Sequence, residues 1–290
     1  MKSIRIIGVP EHFNFPFRLL FQENKLVDKG LEIKWTEESR GSGQMIQALN
    51  SGEADLAILL TESFFKEAET NPNLKMIGFH VESPLVWGVH VGSKQPFKEI
   101  KNVPDPHFLI SRKGSGSQLM ANVLIKESNF SWDKPATFEE VGNMDGAAKA
   151  MELGNSGMFL WEKYTTSPMV KAGIMNRIGE VKSPWPCFVM VTTERAITDF
   201  EQELLLVRDE IYSISKQLIS DPHLAGLISQ SYHLDPMETI EWLSQTKWAI
   251  SPAISKSELE KIVSNLQEFG IISKPLNAED HFVTGSAIIN

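Results

Sequence analysis

Two short glycine- and serine-rich segments each stand between a strand-like apolar run and a helical pattern, and this restricts the fold more than any other feature. The first is Ser39-Arg40-Gly41-Ser42-Gly43-Gln44-Met45, after the run 31–36. The second is Ser111-Arg112-Lys113-Gly114-Ser115-Gly116-Ser117-Gln118, after 108–111. Each is followed further on by a similar exit from helix to strand: Ala48-Leu49-Asn50-Ser51-Gly52 leads into 56–62, and Leu153-Gly154-Asn155-Ser156-Gly157 leads into 158–162. The chain therefore reads as two related α/β halves. A helix start leaves its first N–H groups unpaired, and the helix dipole favours negative charge there. Glycine lets backbone approach a ligand closely, and serine either caps the helix or offers its hydroxyl to the ligand. On this ground Ser42, Gly43, Ser111, Gly114, Ser115, Gly116 and Ser117 are candidate ligand-binding positions, with plain N-capping as the other reading of the serines. Neither segment has the Gly-Lys-Ser/Thr ending of an NTP phosphate loop or the Gly-x-Gly-x-x-Gly of a dinucleotide site.

The alternation continues along the chain. Strands are predicted over 4–9, 31–36, 55–60, 75–79, 85–91, 137–141, 157–160 and 187–192. Helices are predicted over 15–27, 44–51, 62–68, 116–127, 144–153, 162–172 and 194–219, with Asp221-Pro222 and Asp235-Pro236 opening two more and a tail ending at Asn290. Such alternation implies mostly parallel sheets flanked by helices, whose ligands sit at the carboxyl ends of the strands. With 290 residues there is length for two cored units. Crossings near 88–92 and 183–188 divide the chain into lobe I, 1–90 plus 186–290, and lobe II, 91–185, with a hinge between them.

Composition removes several classes. A net charge of −9 disfavours nucleic acid as a partner. The single cysteine, Cys187, allows no intrachain disulfide and no cysteine-based metal site, and the seven histidines lack metal-ligand spacing. No cofactor motif is present. No apolar run reaches the roughly 18 residues of a membrane span. The opening Met1-Lys2-Ser3 runs into a buried-strand pattern without a signal-like segment, so a cytoplasmic protein is expected, or a periplasmic one if an export segment had been removed.

In Ile6-Ile7-Gly8-Val9, the Gly41-Ser42-Gly43 loop and Ala48-Leu49-Asn50-Ser51-Gly52-Glu53-Ala54-Asp55-Leu56-Ala57, the chain resembles the type II periplasmic-binding-protein fold. Leu160-Trp161-Glu162-Lys163-Tyr164 is similar to the Trp-Glu-Pro-Tyr element of its taurine, alkanesulfonate and thiamine-pyrimidine-precursor branch, with Lys163 where proline is usual. The resemblance covers about residues 4–220. It implies a two-lobed α/β protein with two hinge crossings whose cleft closes on a small ligand.

Within such a fold the carboxyl-end loops are the candidate site. His12 could hydrogen-bond a ligand, Phe13 could stack on a ring, and Asn14 adds polarity; the alternative is a surface loop with a packed aromatic. Thr61, Glu62 and Ser63 end the third strand, where Glu62 could accept from an amine or a ring N–H and Ser63 could cap the next helix. Trp87 is either core or a cleft wall. Trp161, Glu162 and Tyr164 end the equivalent strand of lobe II, with Glu162 read alternatively as a helix-start residue. Trp185 belongs to the second crossing, next to Cys187, which reads as a small buried hydrophobe. The resemblance implies a non-catalytic solute-binding protein, a relative of transporter substrate-binding components, taking a sulfonate, carboxylate, phosphate or pyrimidine-like molecule. The alternative is an enzyme on the same fold in thiamine-pyrimidine or menaquinone-precursor metabolism, with His12 and Glu162 as an acid–base pair.

Overall fold

A computed structural model describes residues 1–128, 132–274, 276–283 and 288–289; Asn290 lies outside the described residues. The chain separates into two compact units, Met1–Ser83 with Pro184–Asn290, and Pro84–Ser183. The first boundary thus falls before residue 90, because the strand read as a crossing is built into the second sheet.

The first unit begins β1 (Lys2–Gly8), α1 (Phe15–Gln22), β2 (Leu31–Glu37), α2 (Ser42–Ser51), β3 (Leu56–Leu60), α3 (Thr61–Ala68) and β4 (Leu74–Val81). The second unit holds β5 (Val86–Gly92), β6 (His107–Ile110), α4 (Gly116–Glu127), β7 (Thr137–Glu140), α5 (Met144–Glu152), β8 (Met158–Glu162), α6 (Ser167–Lys171) and β9 (Met175–Lys182). The chain then returns to the first unit with β10 (Phe188–Thr193), α7 (Glu194–Ile219), α8 (Leu224–Tyr232), α9 (Pro236–Gln245), β11 (Ala253–Ile254), α10 (Lys256–Glu268) and β12 (Ile288–Ile289).

The two sheets share one plan. Their orders are β2-β1-β3-β10-β4 and β7-β6-β8-β5-β9. In each, the first three strands run parallel and the fourth is antiparallel to both neighbours. The innermost strands are continuous apolar runs: Leu56–Leu60 reads LAILL, and all six residues of Phe188–Thr193 are buried. That is the composition expected where helices cover both faces.

This shared plan corrects the pairing of the two glycine-rich loops. The loop at Gly41 follows β2, whose counterpart is β7, whereas the loop at Gly114 follows β6, whose counterpart is β1. Their likeness reflects a common need, a tight entry into a helix, not equivalent positions. The later exits do correspond: α2 into β3, and α5 into β8.

Other boundaries shift for local reasons. α1 stops at Gln22, and a short 3-10 turn at Val27–Lys29 leads to Gly30 in the left-handed region (φ 77°). Glu162 is the last residue of β8 rather than the start of a helix, and α6 begins only at Ser167. β9 went unpredicted, since Met175–Lys182 (MNRIGEVK) lacks clean alternation. Asp235 caps α9 as its Asp-Pro implies, accepting from the N–H groups of Met237 and Glu238 at 2.9 and 3.2 Å.

Candidate functional site

In the first unit the loop after β1 is not open. His12–Asn14 forms a buried 3-10 turn. The His12 ring stacks on Phe13 at 5.0 Å and meets Trp242 edge-on at 4.3 Å, and Phe13 also lies 5.2 Å from Phe188. The Phe13 carbonyl accepts from Trp248 Nε1 and His80 Nε2, both at 2.8 Å, which fixes the His80 proton on Nε2. Asn14 Nδ2 donates to the Val9 carbonyl at 2.8 Å. Burial pulls the pKa of His12 down to about 3, so the ring is neutral at ordinary pH. The packed-aromatic reading therefore describes this loop. Trp242 and Trp248, which complete the cluster, come from the C-terminal segment and carried no signal in the sequence beyond being tryptophans.

The end of β3 is different. Ser42, the first residue of α2, accepts from the Leu60 N–H at 3.0 Å through Oγ; Gly41, before it, takes the left-handed backbone (φ 81°). Gly43 sits inside the helix. Thr61, Glu62 and Ser63 open α3 and are all buried. Glu62 Oε2 accepts from Trp185 Nε1 at 2.7 Å, so two residues picked separately from the sequence form one pair. The ring N–H that Glu62 was suited to accept belongs to the same chain. Its Oε1, Thr61 Oγ1 and Ser63 Oγ are buried and make no hydrogen bond. Burial raises the Glu62 carboxyl to about 7.

In the second unit Ser115 is the N-cap of α4, its Oγ accepting from the Gln118 N–H at 3.4 Å. Ser117 Oγ accepts from the Ser111 N–H at 3.0 Å and bonds Ser115 Oγ at 2.9 Å, so the three serines hold one another. Gly114, at φ 72°, donates its N–H to Gln118 Oε1 at 2.6 Å, and Gly116 begins the helix. Glu162 Oε2 accepts from the N–H groups of Tyr164 (2.9 Å) and Thr165 (2.6 Å), closing the turn after β8. Glu162 Oε1 and Trp87 Nε1 are buried without a hydrogen bond, and Trp87 stands directly opposite Glu162 in the antiparallel β5–β8 register. Burial raises Glu162 to about 7. Trp161 is turned to the other face by the strand's alternation, stacking on Phe159 at 5.3 Å beside α5. Tyr164 is buried, with Lys163 Nζ 5.0 Å from its ring centroid. Lys163 also explains its departure from proline: its N–H donates to the Val86 carbonyl at 3.0 Å, a bond proline could not make.

Thr166 Oγ1 ties this turn down, lying 2.9 Å from the Lys163 carbonyl and 3.0 Å from His90 Nε2. The His90 ring occupies the space above Gly88, where an added Cβ would lie 2.5 Å from Cε1 and 2.8 Å from Nε2. Gly88→Ala is therefore expected to cost about 1–3 kcal/mol by overpacking. The same change in a His90→Ala background is expected to cost much less, which urea unfolding of the four proteins would check.

Among the described residues no group of three or more His, Cys, Asp or Glu is placed to hold a metal, and no helix is long and apolar enough to cross a membrane. Residues 87–181 match the Ca3427-like PBP family. No curated protein sequence matches the chain. Among solved structures it is similar to the Candida albicans CA3427 gene product, described as defining a family with the generic periplasmic binding protein fold (TM-score 0.85, 23% identity, 98% of this chain and 96% of that one). It is also similar to the alkanesulfonate-binding protein SsuA of Xanthomonas axonopodis pv. citri, bound to MOPS (TM-score 0.73, 15% identity, 100% and 99% covered). A third is the nitrate-binding protein NrtA of Synechocystis PCC 6803 (TM-score 0.73, 10% identity, 96% and 84% covered). The chain thus has the periplasmic-binding-protein fold, and most of its second unit matches the Ca3427-like PBP family.

Proposed function

We propose that this is a solute-binding protein for a small molecule carrying an anionic group. One observation carries the reading. At the carboxyl ends of the parallel strands each unit presents buried polar atoms without partners: Thr61 Oγ1, Glu62 Oε1 and Ser63 Oγ in one, Trp87 Nε1 and Glu162 Oε1 in the other. A buried polar atom left unpaired costs about 1–3 kcal/mol, so several at one sheet edge imply a partner from outside the chain. That edge is where open α/β sheets take their ligands. The sulfonate- and nitrate-binding neighbours support the anionic class, and hydroxyls in the first unit and an indole N–H in the second are each donors suited to an oxyanion oxygen.

Native mass spectrometry of gently purified protein, followed by calorimetric titration with ethanesulfonate, nitrate, phosphate and acetate, tests this. At least one anion is expected to bind and to be recovered chemically unaltered. Thr61→Val and Ser63→Ala are each expected to weaken it about tenfold, the scale of one hydrogen bond to a charged group. Recovery of a different molecule would favour an enzyme, and failure of every anion to bind would end the proposal.

A further inference from the structure

The two sheet-edge corners carry the same kinds of residue in different states. In the first unit the indole of Trp185 is already engaged by Glu62 at 2.7 Å. In the second, Trp87 and Glu162 are register partners and share a sheet face, yet the indole N–H and Glu162 Oε1 both stand open. The other carboxyl oxygen is fixed by two backbone N–H groups. This corner therefore offers an entering group one N–H, one carboxyl oxygen and the hydroxyl of Thr165, which is also buried without a hydrogen bond. An oxyanion satisfies the N–H. It cannot rest against a carboxylate oxygen, because two anionic oxygens at close range in a buried place exclude one another. It can rest against a carboxyl O–H, which donates.

We infer that the second unit takes an oxyanion together with a proton: Glu162 acquires a proton from solvent on Oε1 and donates it to one ligand oxygen, while Trp87 Nε1–H donates to the same group. This rests on the anion-binding reading above. The surroundings permit the protonation. Lys163 is the adjacent cation, and its Nζ is held by Glu180 at 3.0 Å, with Arg177 beside that carboxylate at 3.8 Å. Tyr164 lies under Lys163, and α4, packed on β8, starts with the neutral hydroxyls of Ser115 and Ser117. His90 reaches the turn only through Thr166, and burial keeps it neutral. Burial of Glu162 outweighs these, placing its carboxyl at about 7 without ligand.

The test is calorimetric titration of the full chain with ethanesulfonate and with nitrate, neither of which titrates between pH 5.5 and 9, in buffers of different ionisation enthalpy. Affinity is expected to be flat below about pH 6 and to fall about tenfold per pH unit above about pH 8, with close to one proton taken up per ligand. Glu162→Gln, which keeps a donor at all pH values, is expected to flatten the profile and abolish that uptake. Trp87→Phe is expected to weaken binding about tenfold at every pH and leave the slope intact. Equal affinity at pH 6 and 9, or an unchanged slope in Glu162→Gln, overturns the inference while leaving anion binding standing. No binding of either anion at any pH overturns both. Glu62, with an open oxygen and a carboxyl also raised to about 7, is the other source of uptake, so should Glu162→Gln fail to fold, uptake retained in Glu62→Gln supports the inference and uptake lost there overturns it.

Discussion

Acidification is expected to unfold the first unit while the second keeps most of its stability. His12 and His80 are buried in the first unit, and burial pulls their pKa values down to about 3 and about 4. In the unfolded chain both titrate near 6.5. Their contribution is therefore full above about pH 6.5 and is lost as the pH falls through 6.5 toward those folded values. Glu62 acts in the opposite sense. Burial lifts it to about 7, so the folded form keeps a proton that the unfolded chain sheds above about 4.5. Its contribution is full below about pH 4.5 and is lost as the pH rises through about 7. At about 1.4 kcal/mol per pH unit, each histidine has cost about 3 kcal/mol by pH 4.5 and Glu62 has returned about 3. The net loss from these three groups is about 2–3 kcal/mol there and about 5 near pH 3. In the second unit His90, lowered to about 4, and Glu162, raised to about 7, nearly cancel. Hydrogen exchange of the two units at pH 7.5, 4.5 and 3.5 would read this directly. Equal loss of protection in both units would contradict it.

Trp185→Ala is expected to be the most damaging single change at the candidate site. The ring is 2% exposed and its N–H holds Glu62. Truncating a buried tryptophan costs about 3–5 kcal/mol. Leaving Glu62 without its donor adds about 1–3 kcal/mol. Trp185→Phe keeps most of the apolar contact, including the edge-on approach to Phe269 (6.2 Å), and is expected to cost only the second amount. In a Glu62→Leu background that second cost is expected to vanish, since no acceptor is left stranded. Denaturant midpoints of these variants would separate the two contributions. A neutral Trp185→Phe would show that the pair holds nothing.

Local pattern reached far into this protein. Apolar runs such as 56–60 and 188–191 can only be buried strands, and Gly41, Gly114 and Asp235 punctuate helix starts through their own backbone and side-chain chemistry. Strand ends could therefore be located, and with them Thr61, Glu62, Ser63 and Glu162, because a parallel sheet brings its carboxyl ends to one edge. What local pattern could not reach was partnership. Two look-alike loops proved to follow non-equivalent strands, Trp161 turned away from Glu162, and His12 was closed in by Trp242. That Trp185 is engaged by Glu62 while Trp87 stays open opposite Glu162 depends on sheet order and register. Those are set by contacts between residues distant in the chain, so tertiary structure alone decides which polar groups are satisfied and which are left open.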